Sequence, residues 1–191
     1  GISVAISGNF AIAGADFDDD AASDQGSASI FQYNGSNWVL MQKIIDPNGG
    51  LGYKFGHSVS LSGNYAIVGS PSSFFFESSV SFYHYSGTTW LLMQKTKNNT
   101  GYGSTSFGTS VCISGDYAIV GDGSDKVGEN SAQGSATIYK RLGLGWGKLQ
   151  YVTDPVGTQT EAFGYQAAID GNNKRFLLAA LGYTIFPAAG K

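Results

Sequence analysis

One segment of sixteen residues occurs twice in this chain. FGHSVSLSGNYAIVGS at 55–70 returns 52 residues later as FGTSVCISGDYAIVGD at 107–122, with 11 identical positions. A further copy, GISVAISGNFAIAGA, occupies 1–15, and a degenerate one, FGYQAAIDGNNKRFLLAA, lies at 163–180. A sequence that repeats at a fixed period is predicted to fold as an array of similar units.

Two landmarks fix the period. The glycines that open the copies lie 55, 52 and 56 residues apart, and tryptophans follow the first three glycines after 34 to 38 residues. Because each unit holds several strand signals and no helical periodicity, the period indicates propeller blades. We predict a single repeat domain over 1–191, with units at about 1–54, 55–106, 107–162 and a partial fourth at 163–191.

Four strands can be identified in the second unit. Its segment 57–62 alternates apolar with small polar residues, and 65–70 is a continuous apolar run typical of a strand covered on both faces. The other two strands are predicted at 79–85 and 90–95. The third unit is predicted to repeat them at 109–114, 117–121, 134–140 and 146–151. The fold class is therefore all-β, a propeller-type array of four-stranded antiparallel blades with three full repeats and a partial fourth.

The charge of the chain excludes two classes of partner. Its net charge is -3, and its 11 lysines and arginines are scattered singly. Nucleic acids and anionic membrane surfaces both require a basic patch, so neither is expected as a partner. No apolar run approaches the roughly 20 residues that span a bilayer, so membrane insertion is not expected.

Small residues recur at one position of the repeat, where successive sheets are expected to crowd together. They are Ala5, Ser60, Cys112 and Ala168. We interpret Cys112 as a small buried filler rather than a reactive thiol. Because it is the only cysteine, an intrachain disulfide is excluded.

Large aromatic residues also recur at fixed places. Tryptophans begin the fourth strands, and phenylalanines begin the second, third and fourth units. These residues are Trp38, Trp90, Trp146, Phe55, Phe107 and Phe163. We interpret all six as anchors that pack between blades, with ligand-stacking platforms as the alternative for the tryptophans.

The pattern FGxSVxxSGxYAIVG, followed by an acidic loop, GSAxI(F/Y) and WxLxQK, closely resembles the FG-GAP repeat. This repeat is the blade unit of integrin α-subunit propellers and of many bacterial and protist surface proteins. The resemblance covers nearly the whole chain. It implies a β-propeller fold, an extracellular or cell-surface location, and adhesion or protein and glycan recognition rather than catalysis.

The chain departs from the integrin pattern in its metal loop. Integrin repeats enlarge the first hairpin to a DxDxDG calcium loop, whereas the turns here, SGNF, SGNY and SGDY, contain at most one carboxylate. Acidic residues gather one loop later instead, at Asp16, Asp18, Asp19, Asp20 and Asp24, and more sparsely at Asp122, Asp125 and Glu129. Because the set is not repeated in the second unit, we expect a solvated turn and no cofactor. Calcium at 16–24 is the alternative.

No catalytic constellation is evident. His57 and His84 are isolated from any recurring carboxylate or cysteine, so neither a triad nor a zinc site is predicted. The repeated glycines are not followed by a helix, which leaves a phosphate-binding loop unsupported. We therefore predict that the chain is not an enzyme.

Two asparagines lie in glycosylation sequons. Asn34 begins NGS and Asn98 begins NNT, and both are expected in exposed connections. They are glycan acceptors if the chain passes through a eukaryotic secretory pathway. The alternative is that they are simply turn residues.

These observations favour a non-enzymatic extracellular adhesion or structural scaffold. Unpaired blade ends are association surfaces, so we expect the units to dock on other copies of the chain or on further repeats, in a ring or a filament. The alternative is a lectin-like, glycan-binding propeller that uses exposed aromatic residues such as Phe74–Phe76. A hydrolase that depends on His57 ranks third.

Overall fold

The computed structural model describes residues 1–20, 22–72, 78–98 and 106–180, together with the backbone of 186–188. These residues form fifteen β-strands, and they contain no helix that could cross a membrane.

The strands form four separate antiparallel sheets, each with its strands in chain order. The first sheet holds β1 (Ser3–Ser7), β2 (Phe10–Ala15), β3 (Ser27–Tyr33) and β4 (Trp38–Ile44). The second holds β5 (Ser58–Ser62), β6 (Tyr65–Ser70), β7 (Ser79–Tyr85) and β8 (Trp90–Lys97). The third holds β9 (Phe107–Ser114), β10 (Tyr117–Asp122), β11 (Ser135–Leu142) and β12 (Gly145–Val152). The described part of the fourth holds β13 (Gln166–Asp170), β14 (Arg175–Ala179) and β15 (Phe186–Ala188).

The predicted fold class is confirmed. All eight strands predicted for the second and third units are present, and their boundaries differ from the prediction by at most two residues. The second strands β6 and β10 are buried along nearly their whole length, which explains why their sequences are continuous apolar runs.

Successive sheets pack face to face, and we call each such contact a joint, numbered by its two sheets. Joints 1–2, 2–3 and 3–4 each enclose a separate apolar cluster. The first strands β1, β5, β9 and β13 contact one another across every joint, whereas the fourth strands β8 and β12 contact each other far less. The sheets therefore converge at their first strands and diverge toward their fourth, as the blades of a propeller do.

Each complete sheet carries a bulge between its third and fourth strands. The register shifts after Ile30, Phe82 and Ile138. The residues opposite these three, at the same register position, are glutamines: Gln42, Gln94 and Gln150. Directly opposite residues share a face of a sheet, so each glutamine lies on the face toward the following sheet.

Candidate functional site

The repeated serines and glycines bind one another across the joints. The first serine of each full copy donates its hydroxyl hydrogen to the carbonyl of the opening glycine of the next copy. The three hydrogen bonds join Ser3 to Gly56 (2.8 Å), Ser58 to Gly108 (2.6 Å) and Ser110 to Gly164 (2.8 Å). A side chain that recurs once per unit thus joins each sheet to the next.

The SG turns supply a second set of joint hydrogen bonds with the opposite direction. Here the serine hydroxyl accepts a hydrogen bond from the turn glycine N–H of the following sheet. The donor and acceptor pairs are Gly63 to Ser7 (2.9 Å), Gly115 to Ser62 (3.0 Å) and Gly171 to Ser114 (3.2 Å). The SG dipeptide is therefore a joint element as well as a turn.

The glycines of the FG and VG dipeptides lie where the backbones of successive sheets approach closely. A Cβ placed on Gly121, near the end of β10, would clash with the carbonyl group of Gly164 in the next sheet. Gly14 and Gly69 meet Gly56 and Gly108 in the same way. Gly56, Gly108 and Gly164 also have positive φ angles of +86° to +89°, which favour glycine. The FG and VG dipeptides thus recur because sheets touch there.

Glutamines of the fourth strands bind the backbone of the following sheet. Gln42 accepts a hydrogen bond from the Trp90 N–H (2.8 Å) and donates one to the Trp90 carbonyl (3.1 Å). Gln94 makes the same pair of bonds with Trp146, at 2.8 and 3.0 Å. These glutamines were not predicted from the sequence, although the recurring Q of WxLxQK was the available signal.

The aromatic residues occupy the joints unevenly. Phe55, Phe107 and Phe163 are buried in joints 1–2, 2–3 and 3–4 respectively. Trp90 and Trp146 are likewise buried, in joints 1–2 and 2–3, where Trp146 stacks on Phe82 with ring centroids 4.9 Å apart.

Trp38 differs from the other two tryptophans. It is 42% exposed and its ring lies beside Tyr33, because no described sheet covers that face of the first sheet. Packing of Trp38 between two blades therefore stays a prediction that the described residues do not test.

The exposed side of the first sheet, which we call the open face, is the main candidate site. It consists of Val4, Ile6, Ala11, Ala13, Phe31 and Trp38. At the equivalent positions the second sheet has Val59, Leu61, Ala66, Val68, Tyr83 and Trp90, which are all buried in joint 1–2. Val4 and Ile6 are 77% and 67% exposed, whereas Val59 and Leu61 are each 7% exposed. The open face is thus a joint surface without a partner among the described residues.

The repeat units match a known family across most of the chain. The FG-GAP repeat family matches residues 1–31, 38–81 and 90–139. The chain belongs to the FG-GAP repeat family. No curated protein matches its sequence. FG-GAP repeats occur in adhesion-type and propeller proteins, including extracellular and surface proteins.

The acidic loop of the first FG-GAP unit contains carboxylates that are bound by Lys43 and Ser27. Lys43 bonds Asp18 at 2.7 Å and also contacts Asp20, and the Ser27 hydroxyl donates to Asp18. The Lys43 and Ser27 bonds lower the pKa of Asp18, and the bond to Asp18 raises the pKa of Lys43. In the described residues no three histidine, cysteine or acidic side chains come together as a metal site.

The third unit repeats part of this arrangement with a different closing residue. Asp125 is fully buried and accepts hydrogen bonds from the Ser135 hydroxyl (2.6 Å) and the Tyr151 hydroxyl (2.7 Å). Burial and then the bond to Asp125 raise the pKa of Tyr151 to about 12. Tyr151 thus occupies the strand position of Lys43 and, like Lys43, binds a carboxylate of the acidic loop.

The two histidines have separate surroundings. His57 Nδ1 lies 2.8 Å from the Asp16 carboxylate, which is buried at joint 1–2. His84 lies beside the Tyr65 ring, with centroids 5.1 Å apart. The carboxylate beside His57 was not predicted from the sequence, because Asp16 lies 41 residues away and meets His57 only across the joint.

Cys112 is partly buried in joint 3–4, and burial raises the pKa of its thiol. In the same slot of the second sheet, the Ser60 hydroxyl accepts a hydrogen bond from Ile113 N–H at 3.1 Å. Both residues therefore contact the next sheet.

The two sequons differ in accessibility. Asn34 is exposed in the β3–β4 turn, where its Oδ1 accepts hydrogen bonds from Ser36 and Asn37 N–H. Asn98 is partly buried, and its Nδ2, the atom that a glycan would modify, donates to Asp122 at 2.6 Å. Asn34 is thus the more accessible of the two asparagines. Residues 74–76, the aromatic platform of the lectin alternative, lie outside the described residues.

Proposed function

We propose that this FG-GAP domain is a non-enzymatic extracellular adhesion or scaffold module whose copies dock head to tail through their end sheets. The observation that carries the proposal is the open face of the first sheet. Its side chains match, position by position, the faces that joints 1–2 and 2–3 bury. Burying apolar surface of this kind stabilises a contact by roughly 25 cal/mol per Å².

The outer side of the fourth sheet has the polar groups that such a contact needs. Gln166 stands where Ser58 donates to a carbonyl, and Asp170 stands where Ser62 accepts from an N–H. A glutamine amide can donate and a carboxylate can accept, so both substitutions keep the required direction. Ala168 supplies the small residue between them. The partners of these groups would be Gly1 carbonyl and Gly8 N–H of the next copy.

The assembly is tested by light scattering across a concentration series. The wild-type domain is expected to show a mass that rises with concentration, and Ile6→Lys is expected to abolish the rise by placing a charge in the contact. Ile6 is exposed, so the variant should fold normally. Leu144→Lys is the matched control, because Leu144 is 91% exposed but lies in the β11–β12 turn. A wild type that stays monomeric at every concentration would contradict the proposal. So would the same loss of the concentration-dependent mass in both variants.

One observation favours glycan binding as a second candidate. Trp38 and Tyr33 form an exposed aromatic pair, with ring centroids 5.3 Å apart, on the open face. Exposed aromatic rings can stack on sugar rings. A glycan array separates the candidates: saturable binding to a defined sugar that Trp38→Ala removes would favour the lectin function over docking.

A further inference from the structure

The loops that leave the first and third sheets are built alike. Asp46 and Asp154 each lie eight residues after the tryptophan of their unit and begin the sequence DPxG. Their side chains accept hydrogen bonds from Asn48 and Val156 N–H, at 3.0 and 2.9 Å. The carbonyls of both aspartates accept from buried glutamines, Gln25 at 3.2 Å and Gln133 at 2.7 Å. Both aspartates are buried, at 1% and 7% exposure.

The second carboxylate oxygen distinguishes the two loops. In joint 1–2 the oxygen Oδ2 of Asp46 binds the ammonium group of Lys95, which extends from β8 of the next sheet. Among the described residues Asp154 has no cationic partner. A buried carboxylate without a cation is costly, so the environment of Asp46 indicates what Asp154 lacks.

The second unit supports this interpretation. The position equivalent to Asp46 and Asp154 is there Asn98, and the position equivalent to Lys95 in the following sheet is Tyr151. Joint 1–2 therefore pairs an anion with a cation, and joint 2–3 has neutral residues at both positions. Between the two joints, the linker residue (Asp46 or Asn98) and the residue on the fourth strand of the next sheet (Lys95 or Tyr151) are either both charged or both neutral. Asp154 accordingly predicts a cation on the fourth strand of the fourth sheet.

Gln150 is a second polar group of the third sheet that faces the fourth sheet without a partner among the described residues. It lies opposite Ile138, the register position that Gln42 and Gln94 occupy in their sheets. Those two glutamines bind the backbone N–H and carbonyl of the next tryptophan, whereas Gln150 is exposed and has no such partner in the described part of the chain. No described strand pairs with the outer edge of β15.

We infer that Gln150 and Asp154 form a receptor for one added β-strand that carries tryptophan and, five residues later, lysine. Gln150 binds the backbone of the tryptophan, Asp154 binds the lysine ammonium group, and the strand pairs with β15 by strand addition. Trp90 and Lys95 of β8 have this spacing, as do Trp38 and Lys43 of β4. Trp90 and Lys95 are already bound by Gln42 and Asp46, and Lys43 is bound by Asp18. The occupant is therefore a strand of a further FG-GAP unit rather than of a second copy. This extends the proposed function to the other end of the array but does not depend on the open face.

The test uses the 191-residue chain and a synthetic peptide of residues 88–97, TTWLLMQKTK, with fluorescence polarisation as readout. We expect saturable binding that falls about tenfold with Asp154→Asn and about tenfold with Gln150→Ala, as expected for lost hydrogen bonds at a charged and a bidentate contact. Asparagine keeps the bond to Val156 N–H, so the loop should keep its fold. Glu129→Gln, a charge-removing change at an exposed site, should leave binding unchanged.

A double-mutant cycle assigns the contact. A peptide with Lys95→Gln should bind about tenfold more weakly to the wild-type chain and no more weakly to Asp154→Asn. Absence of binding, or binding that neither receptor variant weakens, would overturn the inference. Ile6→Lys should bind the peptide normally, so failure of head-to-tail docking and failure of this receptor can be distinguished.

Discussion

At the scale of single residues, the repeat is explained by what each residue touches in the next unit. The serines and glycines of FGxS and SG hydrogen-bond to the following sheet. Their recurrence was visible in the sequence, but their contacts with the following sheet were not predicted. The hydrogen bonds were not predictable, because the partners lie 50 or more residues apart and meet only once two sheets have packed.

Gly121→Ala should disrupt joint 3–4 and destabilise the domain. The new Cβ would overlap the carbonyl of Gly164 in the backbone of the next sheet, which cannot move aside. We expect a loss of about 4 kcal/mol or more in the free energy of unfolding, measured by denaturant titration. Gly115→Ala is the control: its φ is +58° but its surroundings are open, so we expect a loss of only about 1 kcal/mol. Equal losses would refute the contact explanation.

The Asp18–Lys43 contact should make stability depend on acid pH. The bond to Lys43 lowers the folded-state pKa of Asp18 below the usual 3.8, so its stabilising contribution is present above pH 3.8. It is lost as the pH falls further, through the lowered folded-state value. Lys43→Met should therefore lower the Tm at neutral pH, and the difference from wild type should shrink below pH 3.8. Lys140→Met, at an exposed strand position, should show no such dependence; a constant difference for Lys43→Met would argue against the contact.

At the scale of elements, the fourth strands do more than complete each sheet. Their apolar and aromatic pattern predicted the strands, with a tryptophan at or near the start of each. It did not predict the bulge, which places Gln42 and Gln94 opposite the third strand and aims them at the next sheet. A bulge depends on how two strands pair, and this cannot be read from either strand alone.

Gln94→Ala should destabilise the domain by about 1 to 3 kcal/mol, because two backbone groups of Trp146 lose their partner. Gln150→Ala is a matched control at the same register position, and it should leave the free energy of unfolding unchanged in the absence of an added strand. Chemical denaturation of both variants measures the difference. Equal destabilisation would mean that the glutamines act within their own sheets.

At the scale of the whole molecule, the four described sheets form a serial array in which the outer faces of the first and last sheets are unlike. One end presents the apolar open face, and the other presents Gln166, Ala168 and Asp170. The sequence predicted the array because each unit repeats its pattern. The open face became evident only when the structure showed that Val4, Ile6 and Trp38 stay exposed while their equivalents in the next sheets are buried.

Oxidative cross-linking tests the head-to-tail contact most directly. In joint 2–3 the Ser60 hydroxyl lies 3.1 Å from Ile113 N, so the equivalent positions Ala168 and Ile6 should meet between copies. In a Cys112→Ser background, which installs the serine found at position 60, the pair Ile6→Cys and Ala168→Cys should give a ladder of covalent multimers on a non-reducing gel. The control pair Leu144→Cys and Ala168→Cys should stay monomeric. Monomers from both pairs, or equal ladders, would contradict head-to-tail docking.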